Sequence, residues 1–170
     1  MPIQQLPAQA TDFTLDHVVG HSVTLSSFKG APMVLMFGGK DSADQLRNNV
    51  LAIRRGLGAN QVQIVSVSDL RAAPRPARII VKKQLKKAYE EAVAEQRSAL
   101  ESAGKPLPED PSKVIVMLMD WSGSVVDSFG LTGVDREAVG LVLDADQNII
   151  GSGSGDHIAD DVLPVLGRGN

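Results

Sequence analysis

Met33-Val34-Leu35-Met36-Phe37 is an unbroken apolar run, and Gly38-Gly39 closes it just ahead of a segment with helical spacing. A short apolar run bounded by glycine reads as a buried strand. Leu46, Val50, Leu51, Ile53 and Leu57 then share one helix face, with Arg47, Asn48, Asn49, Arg54 and Arg55 on the other and Gly56 and Gly58 at the close. The helix starts near Ser42, so its free N–H groups lie at the end of a strand, the place where many α/β proteins do their chemistry. Residues Gln61 to Val67, rich in β-branched side chains, follow as a second strand. A helical crossover permits parallel pairing of the two strands.

The remaining segments extend this α/β pattern. Asp12 to Leu15 and Ser22 to Leu25 alternate around Gly20, as in an N-terminal hairpin. After the proline-punctuated stretch 71–78, a long helix is expected over 77–100, with Ile80, Val81, Leu85, Ala88, Ala92 and Val93 inward. Lys113 to Met119 reads as a third central strand, and Ser124 to Phe129 as a helical turn or a strand ending at Gly130. Leu141 to Asp144 and Asn148 to Gly151 pair around a turn at 145–147, and a closing helix is expected over 158–166. At 170 residues and 43% hydrophobic content, one domain over 1–170 is the simplest arrangement, with about 71–112 as an inserted helix and its connection.

Two stretches carry a resemblance. D-F-T-L followed by G-H-S-V-T-L-S-S-F-K-G-A-P-M-V-L-M-F, at 12–37, resembles the opening of the redoxins, the peroxiredoxins and thioredoxin-like thiol-disulfide oxidoreductases. D-W-S-G-S-V-V-D-S-F-G-L-T-G-V and L-V-L-D-A-D-Q-N-I, at 120–150, resemble the later strands of that family. The resemblance implies a thioredoxin-like three-layer α/β sandwich with a central mixed sheet of about five strands, an N-terminal β-hairpin and a long inserted helix. Its functional motifs are vacated. The thioredoxin-type cysteine pair falls on Ser42 and Gln45, and the peroxiredoxin proline, threonine and cysteine fall on Gly39, Ala43 and Leu46. The family's cis-proline falls near Ala138, or on Asp135, and Arg136 is the nearby candidate for a peroxiredoxin-type arginine, at an offset that does not match.

The chain holds no cysteine, which excludes thiol peroxidase and disulfide exchange chemistry, disulfides, thiolate zinc sites and iron–sulfur clusters. A hydroxyl at Ser42 cannot ionise at a helix N-terminus as a thiol does, nor pass through a sulfenic acid. Ser42 or Asp41 is instead expected to cap the helix. A net charge of −3 offers no general attraction to nucleic acid. The first ten residues lack the basic start and apolar core of a signal peptide and no apolar run is long enough to span a bilayer, so cytoplasm is the default compartment, with the mature form of an exported protein as the alternative.

Other polar groupings have structural readings. His17 and His21, with Asp16 adjacent, read as solvated hairpin residues before a metal pair, and Asp144 and Asp146 as turn formers before cation ligands. Gly151 to Gly155 reads as a flexible connection with Asp156 capping the last helix, before an anion loop. Trp121 reads as packing at the core or its rim. No metal and no cofactor is implied. Arg71, Arg75, Arg78, Lys82, Lys83, Lys86 and Lys87 form a run with no acidic residue among them, placed where cations oppose the helix dipole. Glu90 and Glu91 follow at pairing distance from Lys86 and Lys87. The run is either a solvated helix face or a docking surface for an acidic protein, with nucleic acid or anionic lipid as lesser alternatives and few aromatics to stack bases.

The leading expectation is a redox-inactive redoxin homologue kept as a protein-binding or assembly module, using the vacated active-site surface together with the basic helix, where Arg75, Arg78, Lys82, Lys83, Lys86 and Lys87 are the contact candidates. A homodimer through the long helix is a further option. The alternative is a cysteine-independent enzyme or small-ligand binder using the helix N-terminus at 41–45, lined by Gly38, Gly39, Asp41, Ser42 and Trp121. The acidic pair Asp41 and Asp44 disfavours anions there.

Overall fold

The computed structural model describes residues 6–57 and 62–168. Gly58 and Gln61, assigned above to a helix end and a strand start, lie outside the described residues. Among the described residues seven strands, β1 (Thr14–His17), β2 (Ser22–Thr24), β3 (Met33–Gly38), β4 (Gln63–Asp69), β5 (Ile115–Asp120), β6 (Val139–Leu143) and β7 (Ile149–Ser154), form one sheet in the order β2-β1-β5-β4-β3-β6-β7. Helices α1 (Ala43–Leu57), α2 (Arg78–Ser102), α3 (Ser124–Ser128) and α4 (Ile158–Arg168) join and cover it. β3, β4 and β5 run parallel, in register Phe37↔Val67↔Leu118, while β6 and β7 run antiparallel beside β3. The hairpin is part of the same sheet, through Asp16↔Met119 and His17↔Leu118.

β3 is buried along its whole length because both faces of the sheet are covered, which is why its sequence is continuously apolar. Met33, Leu35 and Phe37 pack with Val65, Val67, Val116, Leu118 and the α3 residues Val125 and Val126. Val34 and Met36 face the opposite side, toward Ile53 of α1 and Ile158 and Val162 of α4. The expected three-layer α/β arrangement is present.

Several local expectations are corrected. The segment 151–154 is strand, not a flexible connection, and its glycines are contact points: a Cβ on Gly151 would sit 2.9 Å from Val165 Cγ2, and Gly153 faces Asp161 of the same helix. Gly56 lies inside α1, facing Leu163, and does not end the helix. Asn49, assigned to the polar face of α1, is buried. Its Nδ2 donates to Gln45 O (2.9 Å) and Gly155 O (3.0 Å), and its Oδ1 accepts from Ala159 N–H (3.1 Å). Asn49 therefore caps α4 from outside; Asp156 is exposed and makes no such bond. On α2 the inward stripe is Val81, Leu85, Tyr89, Ala92 and Val93, with Tyr89 buried, whereas Ile80 and Ala88 are exposed.

His17 is also corrected: it is buried, not solvated. Its Nδ1 accepts from Val19 N–H at 3.2 Å, which leaves the proton on Nε2, 2.9 Å from Ile115 O. The ring stacks on His21 and meets the edge of Tyr89, so it ties the hairpin, β5 and α2 together. Burial pushes its pKa below the ordinary histidine value, and His21 adds to that.

Candidate functional site

The apolar drive that buries β3 delivers the chain to the C-terminal edge of the parallel strands, where ligands of open α/β sheets usually bind. Gly39 is extended there, and residues Lys40–Ser42 form one 3₁₀ turn that leads into α1. Ser42 is thus the third residue of this turn and not the N-cap of α1. Its hydroxyl accepts from Gly39 N–H (2.9 Å) and donates to Val134 O, a contact across the sheet edge. Asp41 does not cap with its side chain either; it is exposed, and its N–H donates to Asp135 O at 2.8 Å.

The segment 134–138 closes over this turn. Gly39 lies so near Asp135 that an added Cβ would stand 2.6 Å from Asp135 Cα. Gln45 Oε1 accepts Ala138 N–H at 3.0 Å, a donor that proline at 138 would not possess. Among the vacated positions, Gly39 and Ser42 are buried, Gln45 and Leu46 are half-buried, and Ala43 is exposed; Gly38 is buried against Leu46 and Ser42. Arg136, on the covering segment, is exposed. At this turn the Gly39 and Asp41 N–H groups are taken by Ser42 Oγ and Asp135 O, and the Ser42 hydroxyl by Val134 O, so these groups do not form an open cradle.

Trp121 belongs to a different grouping. It follows β5, two strands from β3, and its ring carries the Arg78 guanidinium 5.1 Å and the Lys82 ammonium 5.9 Å from its centre. Gly38, Gly39, Asp41 and Ser42 come together around the turn; Trp121 joins the basic helix. Next to it Asp120 is buried and accepts from the N–H groups of Gly123, Val125 and Val126, which holds the short helix α3. Burial pushes the Asp120 carboxyl above the ordinary range, with Asp69 adding to this and the amide donors opposing it.

The basic run divides. Arg71 is a clip: its Nε donates to Asp69, its terminal nitrogens to Asp127 and to Gly123 O, and the two carboxylates raise its pKa far beyond any relevant pH. Arg75, Lys83, Lys86 and Lys87 are exposed and form no ion pair among the described residues. The expected Lys86–Glu90 and Lys87–Glu91 pairs are not made; Glu91 and Glu95 turn to Arg47 of α1 instead.

For metals, no group of three or more His, Asp or Glu side chains gathers among the described residues. Asp144 is occupied by the N–H groups of Asp146 and Asn148 and by the Asn148 amide, which lowers its pKa. A cleft of about 320 Å³ lies at the opposite end of the sheet, between Pro32, Asp144, Ile150, Val165 and Leu166, away from every vacated position. No described helix is long and apolar enough to cross a membrane.

No protein-family model matches the chain, and no curated protein matches it. Solved structures do. The thioredoxin domain of a thiol-disulfide oxidoreductase from Bacteroides vulgatus superposes with a TM-score of 0.62 at 16% identity, covering 98% of each chain. Peroxidoxin BcpB from Mycobacterium tuberculosis superposes with a TM-score of 0.61 at 19% identity, also covering 98% of each chain. The chain has a thioredoxin-like fold. An exposed lipoprotein thioredoxin (Etrx1) from Streptococcus pneumoniae, at 18% identity and a TM-score of 0.58, covers 93% of this chain and 99% of its own. Thioredoxin-fold redoxins are thus its structural neighbours, while this chain contains no cysteine.

Asn49, as a buried cap, and Val134 are site residues that the sequence does not reveal, and Asp135 enters there only as a possible cis-proline position. An asparagine among helix-face polar residues and a valine–aspartate pair in a loop carry no periodic signal. Gln45 reads from the sequence as a vacated cysteine position at the end of the 41–45 turn, and nothing local shows that its amide holds Ala138.

Proposed function

We propose that this thioredoxin-fold protein is redox-inactive and works as a protein-binding or assembly module, with segment 71–112 as the added contact element. The observation that carries the reading is the closure of the vacated turn. A redoxin must present a sulfur atom to a second molecule at this place, whereas here Ser42 points into the Val134 carbonyl and Gly39 lies beneath Asp135. A scaffold that keeps its strands and core while filling its reactive edge with its own backbone is suited to presenting a surface. The same closure disfavours a small ligand at 41–45.

The test is purification of the tagged chain from its native cells at moderate and at high salt. A stoichiometric protein partner is expected. Recovery of the chain alone under every condition, or peroxidase or disulfide-reducing turnover by the purified protein, overturns the reading.

A further inference from the structure

We propose that the first half of α2 is a docking surface for an acidic protein segment that carries apolar side chains among its carboxylates. This rests on the protein-binding reading above and names the surface and the chemistry of its partner. Ile79 and Ile80 stand side by side at the start of the helix, 67% and 60% exposed. At 100° per residue they share the outward face with Lys83, Lys86 and Lys87, opposite the stripe Val81, Leu85 and Tyr89 that meets the sheet. Two adjacent isoleucines turned away from the core contribute nothing to the fold.

The cations around them serve the fold no better. Arg75 stands in the 3₁₀ turn ahead of α2 and Lys83, Lys86 and Lys87 in the N-terminal half of its 25 residues, where positive charge gains nothing from the dipole, and the four have no anionic partner among the described residues. Arg78 and Lys82 are held on the Trp121 ring at one border of the patch, which fixes part of its charge in place before any partner arrives. An apolar pair within a ring of cations is complementary to carboxylates flanking apolar anchors.

The second half of the helix decides between a protein and a membrane. Glu90 follows on the same outward face and Glu101 lies further along it, while Glu91 and Glu95 are engaged by Arg47, and the whole helix is about 37 Å long at 1.5 Å per residue. A flat anionic bilayer laid along it would meet Glu90 and Glu101 as well. A short acidic segment can cover Arg75 to Lys87 and end before Glu90.

The experiment uses the full chain and its one tryptophan as the reporter. The probes are a labelled amphipathic peptide of glutamate and leucine, its glutamine–leucine isostere, and phosphatidylserine-rich vesicles. Binding of the glutamate peptide alone is expected, with a change in Trp121 emission and loss at high salt. Lys83→Glu, Lys86→Glu and Lys87→Glu together should abolish it, and Ile79→Ser with Ile80→Ser should weaken it about tenfold or more. All these positions are exposed, so the variants should melt like the parent. Absence of peptide binding, equal binding of the isostere, indifference to either set of changes, or preference for vesicles overturns the proposal. A native partner that survives both sets leaves the assembly reading standing and refutes this surface alone.

Discussion

Replacing Gly39 by alanine tests the closed turn directly. The new Cβ would lie 2.6 Å from Asp135 Cα and 2.8 Å from Asp135 Cβ, and neither atom is the flexible end of a side chain. The chain can absorb the overlap as strain, at about 1–3 kcal/mol for overpacking. It can also let segment 134–138 lift, which weakens the Asp41–Asp135, Ser42–Val134 and Gln45–Ala138 hydrogen bonds, each worth roughly 0.5–1.5 kcal/mol. The first route costs about 1–3 kcal/mol and the second, with three bonds weakened, up to about 4 kcal/mol, or roughly 2–16 °C in Tm for a chain of this size. Urea unfolding and a thermal melt measure it, with Gly38→Ala as the comparison. There the nearest atom is Leu46 Cδ2 at 3.0 Å, the flexible end of a side chain, so a cost of about 1 kcal/mol or less is expected. A Gly39→Ala protein within about 0.5 kcal/mol of the parent would show that Asp135 does not rest on the turn, and the argument for closure would fall with it.

Other outcomes follow from the same contacts. In this cysteine-free chain, Ser42→Cys places a lone thiol under Val134, and its reaction with an aromatic disulfide reagent should run at least roughly a hundredfold slower than that of Ala43→Cys, since it waits on local opening. Asn49→Ala should cost about 2–4 kcal/mol in urea unfolding, because it leaves Gly155 O and the Ala159 N–H buried without partners; a loss under about 1 kcal/mol would deny Asn49 its capping role. His17 has a folded pKa below its unfolded one, so the native state binds fewer protons; its contribution is present above the ordinary value near 6.5 and is lost as pH falls through that value and below. The urea midpoint should therefore drop from pH 7 to pH 5, and His17→Phe should flatten that drop; an unchanged slope in the variant would assign it to other groups.

The parts legible in the sequence were those with a period. The continuous run of β3 and the apolar β4 and β5 announced the sheet, because burial on both faces leaves a residue-type signature, whereas 124–129 reads equally as a helical turn or a strand and only the structure makes it α3. The hairpin at 144–148 was legible from its turn residues, although Gln147 occupies the positive-φ position where the redoxin pattern has glycine. Its amide donates to Leu25 O, a compensation that no local pattern displays. The vacated cysteines could be read by position, but the covering of the turn could not, since Val134, Asp135 and Ala138 reach it from some ninety residues away in the chain. Arg71 and Glu95 show the same limit: charge runs are visible in sequence, while the choice of partner depends on which helix crosses which.

The N-terminal hairpin has a bearing on solubility. β5 reads Ile115-Val116-Met117-Leu118-Met119, uncharged until Asp120, and β4 occupies only one of its sides. On the other side lies β1, paired through Asp16 and His17, with the short polar β2 outside it. A chain beginning at Gly30 would leave this apolar strand as a bare sheet edge, the kind that templates intermolecular pairing. The hairpin therefore acts as a guard against aggregation, and fusion partners or tags that pull it away from β5 invite filaments even where the rest of the sheet stays folded.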